Sequence, residues 1–369
     1  MVSYSNMVNH KGKSSKAIRY IDLFCGIGGF RIATEQISAE LSIPVKCVFS
    51  CDIDEECQIA YEENFSEMPA GDITTVDARD IPEHDILFAG FPCQPFSIIG
   101  YRRGFEDTRG TLFFEIARIL EAKKPTAFVL ENVKLLVGHN NGKTLKRIMS
   151  ALRDLGYYAD FRVLNALDFG IPQKRERVFI VGFKKACLFD WPKGSIHMTA
   201  LQEILEDNVP DQYYASERIR KNRLKKHKPT KEPTIWHENK AGHISAYPFS
   251  CALRAGASYN YLLVNGERRL TSREMLRLQG FPDSFKIVCN YSQTRKQAGN
   301  SLPVPVAKAV LKNLFIAQGW HDSYVEHDFN NLQYQMVDGQ MMIFEKGEKY
   351  GRRTKVKNSR KIQATLSAK

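Results

Sequence analysis

A cysteine between two prolines is the residue of this sequence best placed for covalent chemistry. The segment Gly90–Ser97 reads GFPCQPFS and begins where a short apolar strand, Ile86–Ala89, is expected to end. Open α/β sheets bind their ligands at this carboxyl edge. The flanking prolines stiffen the backbone of Cys93, which a structural cysteine does not need. A thiol held there could attack an electrophilic carbon if its pKa is lowered, although a cysteine taken alone is more often a packing residue.

Charged residues follow two other predicted strands. Glu131 comes directly after the apolar run Ala127–Leu130, so its carboxylate should face the same edge as Cys93. Desolvation beside an apolar strand would raise its pKa, which suits a group that gives or shares a proton near neutral pH. Arg175 and Arg177 enter a further strand at alternate positions, so they should point to one face and could hold an anion or a ring carbonyl. The alternative is an edge of surface salt bridges.

A glycine-rich turn follows the first predicted strand. The segment Asp22–Phe30 reads DLFCGIGGF and leads from a strand into a helix, an arrangement that lets a nucleotide-like ligand approach the backbone. Asp52, at the end of the second strand, could accept hydrogen bonds from ribose hydroxyls, and Asp72 supplies a second acid. The turn lacks the G-x-G-x-x-G spacing of dinucleotide sites, and the alternative is a tight turn with two surface acids.

The other cysteines do not predict a metal site. Cys47, Cys51 and Cys57 are separated by three and five residues, with no histidine nearby. Zinc ligands are usually about two to four residues apart and come with a second matching pair. The polar start Met1–Lys16 is unlike a signal peptide, and no apolar run reaches the roughly 18 residues of a membrane span. The eight cysteines are therefore expected to be reduced thiols in a cytoplasmic protein.

The net charge of +12 is concentrated in two segments. Glu217–Lys231 and Glu345–Lys369 each carry a local charge of +7, so the rest of the chain is close to neutral. Two basic segments on such a body suggest a polyanionic partner, with a solvated loop and tail as the alternative.

Short apolar runs alternate with helical stretches, and this alternation predicts an α/β fold with a doubly wound, mostly parallel sheet. The runs do not alternate apolar with polar residues, as expected of strands that are covered on both faces. Strands are expected at Tyr20–Phe24, Val45–Ser50, Ile86–Gly90, Ala127–Leu130, Phe161–Asn165 and Arg177–Phe183. Helices are expected at Phe30–Glu40, Asp54–Asn64, Thr111–Ala122, Lys143–Leu155, Thr271–Gln279 and Val304–Ile316. Thr271 and Glu274 form a capping-box pattern, and the last helix is expected to return to the sheet.

The composition divides the chain into four parts. Residues 1–18 are expected to form a disordered leader, and residues 19–190 with 296–320 the α/β domain. Residues 191–295 contain Pro, Gly, Asn and scattered aromatics with little helical period, and they predict a second, smaller, loop-rich domain. Residues 321–369 are expected to be a C-terminal extension that is basic and flexible at its end.

These segments together resemble the cytosine carbon-5 DNA methyltransferases, in particular those of bacterial restriction–modification systems. The match covers about residues 19–317, and its segments occur in the family's order. Two of them, GDIT at 71–74 and the segment Ala166–Arg177, point to the bacterial branch. It takes in Asp22–Phe30, Gly90–Ser97, DTRGTLFFE at 107–115, Glu131–Val133, Gln173–Gly182, LQGFPDS at 278–284 and Gln297–Val306. The resemblance implies the S-adenosylmethionine-dependent methyltransferase fold, with residues 191–295 as a target-recognition domain.

The resemblance also implies a mechanism for the residues found above. The target cytosine is flipped out of the duplex, and the Cys93 thiolate adds to carbon 6 of its ring. Glu131 bonds ring nitrogen 3, and Arg177, with Arg175 beside it in the catalytic set, binds the ring carbonyl. Carbon 5 then takes the methyl group, a base such as water removes the carbon-5 proton, and Cys93 leaves.

The implied methyl donor is S-adenosylmethionine, and no metal is expected. The residues expected to hold the cofactor are Phe24, Gly26, Gly28, Asp52, Ile53, Asp72, Pro92, Leu112 and Asn300. Asp52 would hold the ribose, and Ile53 would lie against the adenine, where many relatives have a bulky aromatic. Asp72 would bond the adenine edge, and Asn300 would close the far side of the site.

Double-stranded DNA is the implied partner. The basic run at 217–231 would contact phosphates, and Asn239, Lys240 and Arg254 would read bases in the major groove. Gln94 and Ser97 are also chosen as DNA-binding residues. A cognate restriction endonuclease that acts separately is a further implied partner. The enzyme is expected to be a monomer without membrane attachment, located in the bacterial cytoplasm and at the nucleoid when on DNA.

Two other functions compete with this interpretation. The first is methylation of cytosine in RNA, but the tRNA-modifying branch usually has a proline doublet before the nucleophile, whereas Phe91 precedes Pro92 here. The second is a catalytically inert DNA-binding homologue, which the intact Cys93, Glu131 and Arg177 argue against. A nicotinamide dehydrogenase would explain the glycine turn but not the segments around Cys93 and Glu131.

Overall fold

The computed structural model describes residues 16–92 and 112–321, together with the backbone of 332–337 and 340–345. In that part of the chain, six strands form a central sheet in the order β2-β1-β3-β4-β7-β5. These strands are β1 (Ile18–Leu23), β2 (Val45–Cys51), β3 (Ile86–Gly90), β4 (Ala127–Val133), β5 (Tyr158–Asn165) and β7 (Glu176–Phe183). Strands β1 to β4 run parallel, whereas β7 is antiparallel to both of its neighbours. The prediction of a mostly parallel α/β sheet is confirmed.

Helices cover both faces of the sheet because successive residues of its strands are apolar on both sides. The covering helices include α1 (Gly29–Leu41), α2 (Glu55–Phe65), α3 (Leu112–Lys123), α5 (Lys143–Asp154) and α10 (Val304–Ala317). Phe88 and Val129 pack in the core beneath α1 and α10, and Leu87 and Leu130 pack in the core beneath α3 and α5. Helix α10 lies beside α1, where Glu40 forms ion pairs with Lys308 and Lys312, so the predicted return of the last helix to the sheet is confirmed.

The carboxyl ends of β1 and β4, which border the predicted site, differ from the expected ones. Strand β1 ends one residue early because Phe24 adopts a positive φ of 56°. Strand β4 continues for three residues past its expected end because it pairs with β7, with Glu131 opposite Phe179 and Val133 opposite Arg177. Glu131 therefore lies within a strand rather than after it, and its backbone is fixed on both sides by the sheet.

The region from 191 to 295 contains small sheets and short helices. Its helices include α6 (Leu201–Ile204), α7 (Glu217–Leu224), α8 (Ser272–Arg277) and the start of α9 (Tyr291–Asn300). An antiparallel sheet joins β8 (Ile235–Glu238), β9 (Ile244–Tyr247) and β11 (Leu262–Val264), and β10 (Ser250–Cys251) pairs in parallel with β6 (Gln173–Lys174). The capping box at α8 forms as predicted, since Glu274 N–H donates to Thr271 Oγ1 at 3.1 Å and Thr271 N–H donates to Glu274 Oε2 at 2.8 Å.

One basic side chain of the 217–231 run is a core residue. Arg223 is buried under β8, where its guanidinium donates to the backbone oxygens of Trp236 and Asn260 and pairs with Glu238 at 2.8 Å. The expectation that this run contacts phosphates therefore fails for Arg223, because the guanidinium supplies the hydrogen bonds that close the small sheet.

Toward the C-terminus, β12 (Leu332–Val337) and β13 (Gln340–Glu345) form an antiparallel hairpin. A further short helix, α4 (Leu135–Gly138), follows β4. Of the helices in the described ranges, none combines the length and the apolar character that crossing a bilayer requires.

Candidate active site

A cavity of about 610 Å³ opens at the carboxyl ends of β1 to β4. Most of the residues predicted for cofactor binding line it, namely Phe24, Gly26, Asp52, Ile53, Asp72, Pro92, Leu112 and Asn300. Glu131 and Arg177 lie in the same wall. Cys93 is outside the described residues, but Pro92 directly before it belongs to this wall. The structure thus brings together side chains that are far apart in the sequence.

The turn after β1 depends on residues with positive φ. Gly26 and Gly28 have φ values of 54° and 83°, and Gly28 forms the N-cap of α1. A Cβ on Gly28 would lie 2.3 Å from the ring of Phe65, whereas a Cβ on Gly26 would meet no protein atom within 4 Å. Gly28 is therefore needed to shape the turn, and the backbone at Gly26 is open to the cavity.

Replacing Gly28 with alanine is expected to reduce the free energy of unfolding by more than about 2 kcal/mol, because a left-handed backbone and a clash with Phe65 add together. Urea unfolding of the variant would measure this loss. Gly138→Ala is the matched control, since its Cβ would meet no atom within 4 Å and its backbone has no positive φ. Equal stabilities of the two variants would contradict the role given to Gly28.

Asp52 fastens the glycine-rich turn to the end of β2. Its Oδ2 accepts a hydrogen bond from Gly26 N–H at 2.7 Å, and its Oδ1 accepts one from Asp54 N–H at 2.9 Å. Burial raises the pKa of this carboxyl, and the two N–H donors oppose that shift. Since each carboxylate oxygen has two acceptor positions, Asp52 can still accept from a ligand hydroxyl in the cavity.

Ile53 and Asp72 lie on the cavity wall near Asp52. Ile53 is 72% exposed on this wall, so it offers an apolar surface that a ligand in the cavity could cover. Asp72 uses Oδ1 to accept from Thr74 N–H at 2.9 Å, which caps a short 3₁₀ turn.

Glu131 and Arg177 form a buried ion pair. Strands β4 and β7 place them on the same face, and Arg177 Nε lies 2.9 Å from Glu131 Oε1. Burial raises the pKa of Glu131, and the positive charges of Arg177 and Arg175 oppose this shift. A carboxyl in such surroundings can hold or share a proton at neutral pH, as its sequence position indicates.

Asn132, which was not predicted as a site residue, holds the start of the segment that carries Cys93. Its Nδ2 donates to the backbone oxygen of Phe91 at 2.8 Å, which ties the end of β3 to β4. The signal in the sequence was its place in Glu131–Val133, one of the segments that carry the family resemblance. Gln297 was also missed, although it lines the cavity and donates to the Glu56 backbone oxygen at 2.9 Å.

Arg175 and Arg177 have different partners. Arg175 falls between β6 and β7, so the alternation of a continuous strand does not apply to it. Its guanidinium is fully buried and donates to the backbone oxygens of Leu253 at 3.0 Å, of Gly299 at 3.0 Å and of Ser301. These bonds indicate a positioning role for Arg175, whereas Arg177 lines the cavity.

Three of the residues predicted for DNA contact, Asn239, Lys240 and Arg254, are described, and none of these three lines the cavity. Gln94 and Ser97 are outside the described residues. Asn239 and Lys240 are exposed in the turn between β8 and β9, where Asn239 Oδ1 accepts from the N–H groups of Ala241 and His243. Arg254 is exposed, and its guanidinium lies 4.9 Å from the ring centre of Tyr261.

The clustered cysteines are buried thiols. Cys51 and Cys57 line the cavity, and burial raises the pKa of Cys51 to about 12. Within residues 16–92 and 112–321, no group of three or more His, Cys, Asp or Glu side chains could hold a metal ion.

Comparison with known proteins identifies the family. Residues 18–316 match the C-5 cytosine-specific DNA methylase family. The chain is 55% identical over 297 residues to the type II methyltransferase M.NgoBI of Neisseria gonorrhoeae, covering 79% of this chain and 91% of that protein. It is 55% identical over 298 residues to M.HaeII of Haemophilus aegyptius, covering 80% and 92%.

Solved structures share the same fold. A mutant DNMT2 of Spodoptera frugiperda has a TM-score of 0.64 at 18% identity, with 81% of this chain and 100% of that one covered. At this identity the likeness concerns the fold. The family match and the curated relatives together show that the chain belongs to the C-5 cytosine-specific DNA methylases and is a DNA (cytosine-5-)-methyltransferase.

Proposed function

We propose that the protein methylates a cytosine within a specific site of double-stranded DNA, as the modification enzyme of a restriction–modification system. The observation that carries this proposal is the buried Glu131–Arg177 pair, which lies in one cavity wall with Pro92, the residue before Cys93. A base held by that pair would have its ring next to the start of the Cys93 segment. The names of the two bacterial relatives support the restriction–modification context.

The cavity fits S-adenosylmethionine, the methyl donor of this family. When bound, it supplies an electrophilic methyl group carried on a sulfonium sulfur. Gly26 leaves the backbone open to the ligand, Asp52 offers carboxylate oxygens to ribose hydroxyls, and Ile53 presents an exposed apolar surface to the adenine. Asp72 and Asn300 would close the remaining sides of the site.

Cys93, Glu131 and Arg177 would activate the base in turn. The Cys93 thiolate adds to carbon 6 of the flipped-out cytosine, and electron density moves through the ring to carbon 5 and nitrogen 3. Glu131 gives or shares a proton at nitrogen 3, and Arg177 donates to the ring carbonyl oxygen. As carbon 5 takes the methyl group, the donor would be left as the thioether S-adenosylhomocysteine and the proton at nitrogen 3 would return to Glu131. A water then removes the carbon-5 proton, the double bond between carbons 5 and 6 re-forms and Cys93 leaves as the thiolate.

Arg175 would act on these groups through the backbone. Arg175 donates to the backbone oxygens of Gly299 and Ser301, which flank Asn300, and to that of Leu253. It therefore holds the cavity wall at Asn300 against residues 250–254.

We assign residues 19–190 and 296–320 to the catalytic domain and residues 191–295 to target recognition. We propose that the enzyme acts as a monomer in the bacterial cytoplasm. Its proposed partners are double-stranded DNA and a cognate endonuclease that acts separately.

Replacing Asp52 with alanine is expected to raise the Kd for S-adenosylhomocysteine at least about tenfold. The variant loses the carboxylate that would accept a hydrogen bond from the ribose, and Gly26 N–H loses its partner. A hydrogen bond to a charged group contributes about 1.5–3 kcal/mol, and about 1.4 kcal/mol corresponds to a tenfold change in Kd. Titration calorimetry measures the change. Asp77→Ala, at an exposed carboxylate paired with Arg79, is the control and should leave the Kd unchanged. An unaltered Kd in a folded Asp52→Ala protein would argue against the ribose assignment.

The proposal is tested by supplying tritiated S-adenosylmethionine with phage DNA and, in parallel, with tRNA. Digestion and separation of nucleosides identify the labelled product. We expect label in 5-methyldeoxycytidine from DNA only. Label in tRNA alone would move the activity to RNA, and no label with the cofactor shown to bind would support an inert homologue or a site absent from that DNA.

A further inference from the structure

Arginines and tyrosines from three segments meet at a shallow cleft. We name it the arginine–tyrosine cleft, and it consists of Arg254, Tyr259, Arg269, Tyr291 and Arg295. The guanidinium carbon of Arg295 lies 4.4 Å from the ring centre of Tyr259, and that of Arg269 lies 5.8 Å from Tyr259 and 5.6 Å from Tyr291. The two tyrosine rings are stacked with their centroids 6.0 Å apart. The cleft thus alternates cationic and aromatic planes.

No described carboxylate balances the charge of this cleft. Its lining contains neither Asp nor Glu, and in residues 16–92 and 112–321 no acidic side chain forms an ion pair with Arg254, Arg269 or Arg295. The neighbouring Arg268, by contrast, pairs with Glu274 at 2.8 Å. Since guanidiniums are always charged, holding several around one cleft without an acid favours an anionic ligand.

The guanidinium groups are held in place by the backbone. Arg295 Nη1 donates to the Ala257 oxygen at 2.6 Å, and Arg269 Nε donates to the Tyr213 oxygen at 3.3 Å. Stacking on the tyrosine rings further fixes the planes, and Tyr259 remains 43% exposed. A fixed guanidinium plane presents its remaining N–H groups as a fork that matches two phosphate oxygens.

The cleft lies close to the active site through α9. Arg295 and Asn300 are five residues apart on this helix, about 7.5 Å along its axis, and Asn300 lines the cofactor cavity. The chain at Arg254 also passes directly over the helix, since a Cβ on Gly299 would lie 2.5 Å from Ala255 N. One DNA strand advances about 3.4 Å per nucleotide, so a phosphate at the cleft would belong to a nucleotide near the flipped base.

We propose that the arginine–tyrosine cleft, whose interior of about 20 Å³ is too small to enclose the group, binds a backbone phosphate of the DNA at its mouth near the target cytosine, with Arg269 and Arg295 as the donors. This proposal rests on the proposed function, because it takes DNA as the substrate. Contact with a phosphate positions the duplex without reading its sequence. The cleft therefore contributes affinity to every DNA site, and recognition of the base sequence falls to other residues.

The test is the salt dependence of DNA binding by the full-length protein with S-adenosylhomocysteine present. Fluorescence anisotropy of a labelled duplex of mixed sequence, from about 50 to about 200 mM KCl, gives the slope of log K against log salt concentration. The double variant R269Q/R295Q is expected to make this slope less steep by about 0.9 for each lost contact. The decrease should be the same for duplexes of unrelated sequence.

Two further variants separate charge from folding. R269K/R295K keeps both charges and is expected to keep the slope, even if its affinity falls because the fork is lost. R79Q, at an exposed arginine whose side chain is 87% accessible and pairs with Asp77, should leave slope and affinity unchanged. An unchanged slope in R269Q/R295Q, or an equal decrease in R269K/R295K, would overturn the proposal.

The outcome is independent of methyl transfer. If the wild-type protein labels DNA but the slope of R269Q/R295Q is unchanged, the cleft proposal fails and the proposed function stands. If the wild-type protein labels tRNA alone but the slope decreases as expected, the proposed function fails and the anion site stands.

Discussion

Cys93→Ser is expected to lower the rate of DNA methylation by at least about 10⁴-fold while DNA and cofactor still bind. A serine hydroxyl is far less acidic than a thiol and forms almost no anion near pH 7, so the addition to carbon 6 does not start. Removing the nucleophile of a covalent mechanism typically costs losses on this scale. Initial rates of tritium transfer to DNA, with binding measured separately by anisotropy, give both quantities.

Cys187→Ser is the matched control for this substitution. Cys187 is a buried thiol near the end of α10, where burial raises its pKa to about 12 and Gln318 forms a hydrogen bond with it. It is outside the cavity lining, so its serine variant should keep the wild-type rate. Normal turnover of Cys93→Ser, or equal losses in the two variants, would reject Cys93 as the nucleophile.

Glu131→Gln is expected to lower kcat by about 10² to 10⁴-fold with little change in KM, because general acid–base groups contribute on this scale. The pH profile should change as well. Burial raises the pKa of Glu131, and its protonated form is the active one, so wild-type kcat should fall as the pH rises through that pKa. Glutamine cannot ionise, and the variant should lose this basic limb.

Rates measured from about pH 6 to about pH 9 test this expectation. Glu176→Gln serves as the control, because Glu176 lies at the start of the same strand as Arg177 but pairs with Lys134 at 2.7 Å outside the cavity. It should keep both the rate and the pH profile. A basic limb that persists in Glu131→Gln would assign the titration to another group.

The sequence predicts the parts of this fold that local pattern determines. Short runs such as Ile86–Gly90 are apolar throughout because both faces of the strand are covered, and their positions were predicted closely. The residues after these strands converge on one cavity because parallel strands end at one edge, so Asp52, directly after β2, could be chosen without coordinates. Its role toward the cofactor remains a prediction.

Features that depend on long-range pairing were not predicted. Strand β4 extends to Val133 because β7 lies beside it in the antiparallel direction, which no local pattern encodes. Arg223 is buried because carbonyl groups from β8 and from Asn260 surround it, yet the basic residues near it in the sequence, Lys221, Lys225 and Lys226, are exposed. The arginine–tyrosine cleft joins residues 254 to 295 from three segments, and only the folded chain brings them together.

Main-chain anchoring has a consequence for how new DNA specificities could arise. Leu253 is held by Gln173 Oε1, which accepts from its N–H at 3.1 Å, and by Arg175, which donates to its carbonyl oxygen. Every amino acid other than proline offers these same two groups. Under the proposed assignment of residues 191–295 to target recognition, their side chains can diverge while the attachment to the proposed catalytic domain persists, so a lineage could acquire a different target site without rebuilding the enzyme that methylates it.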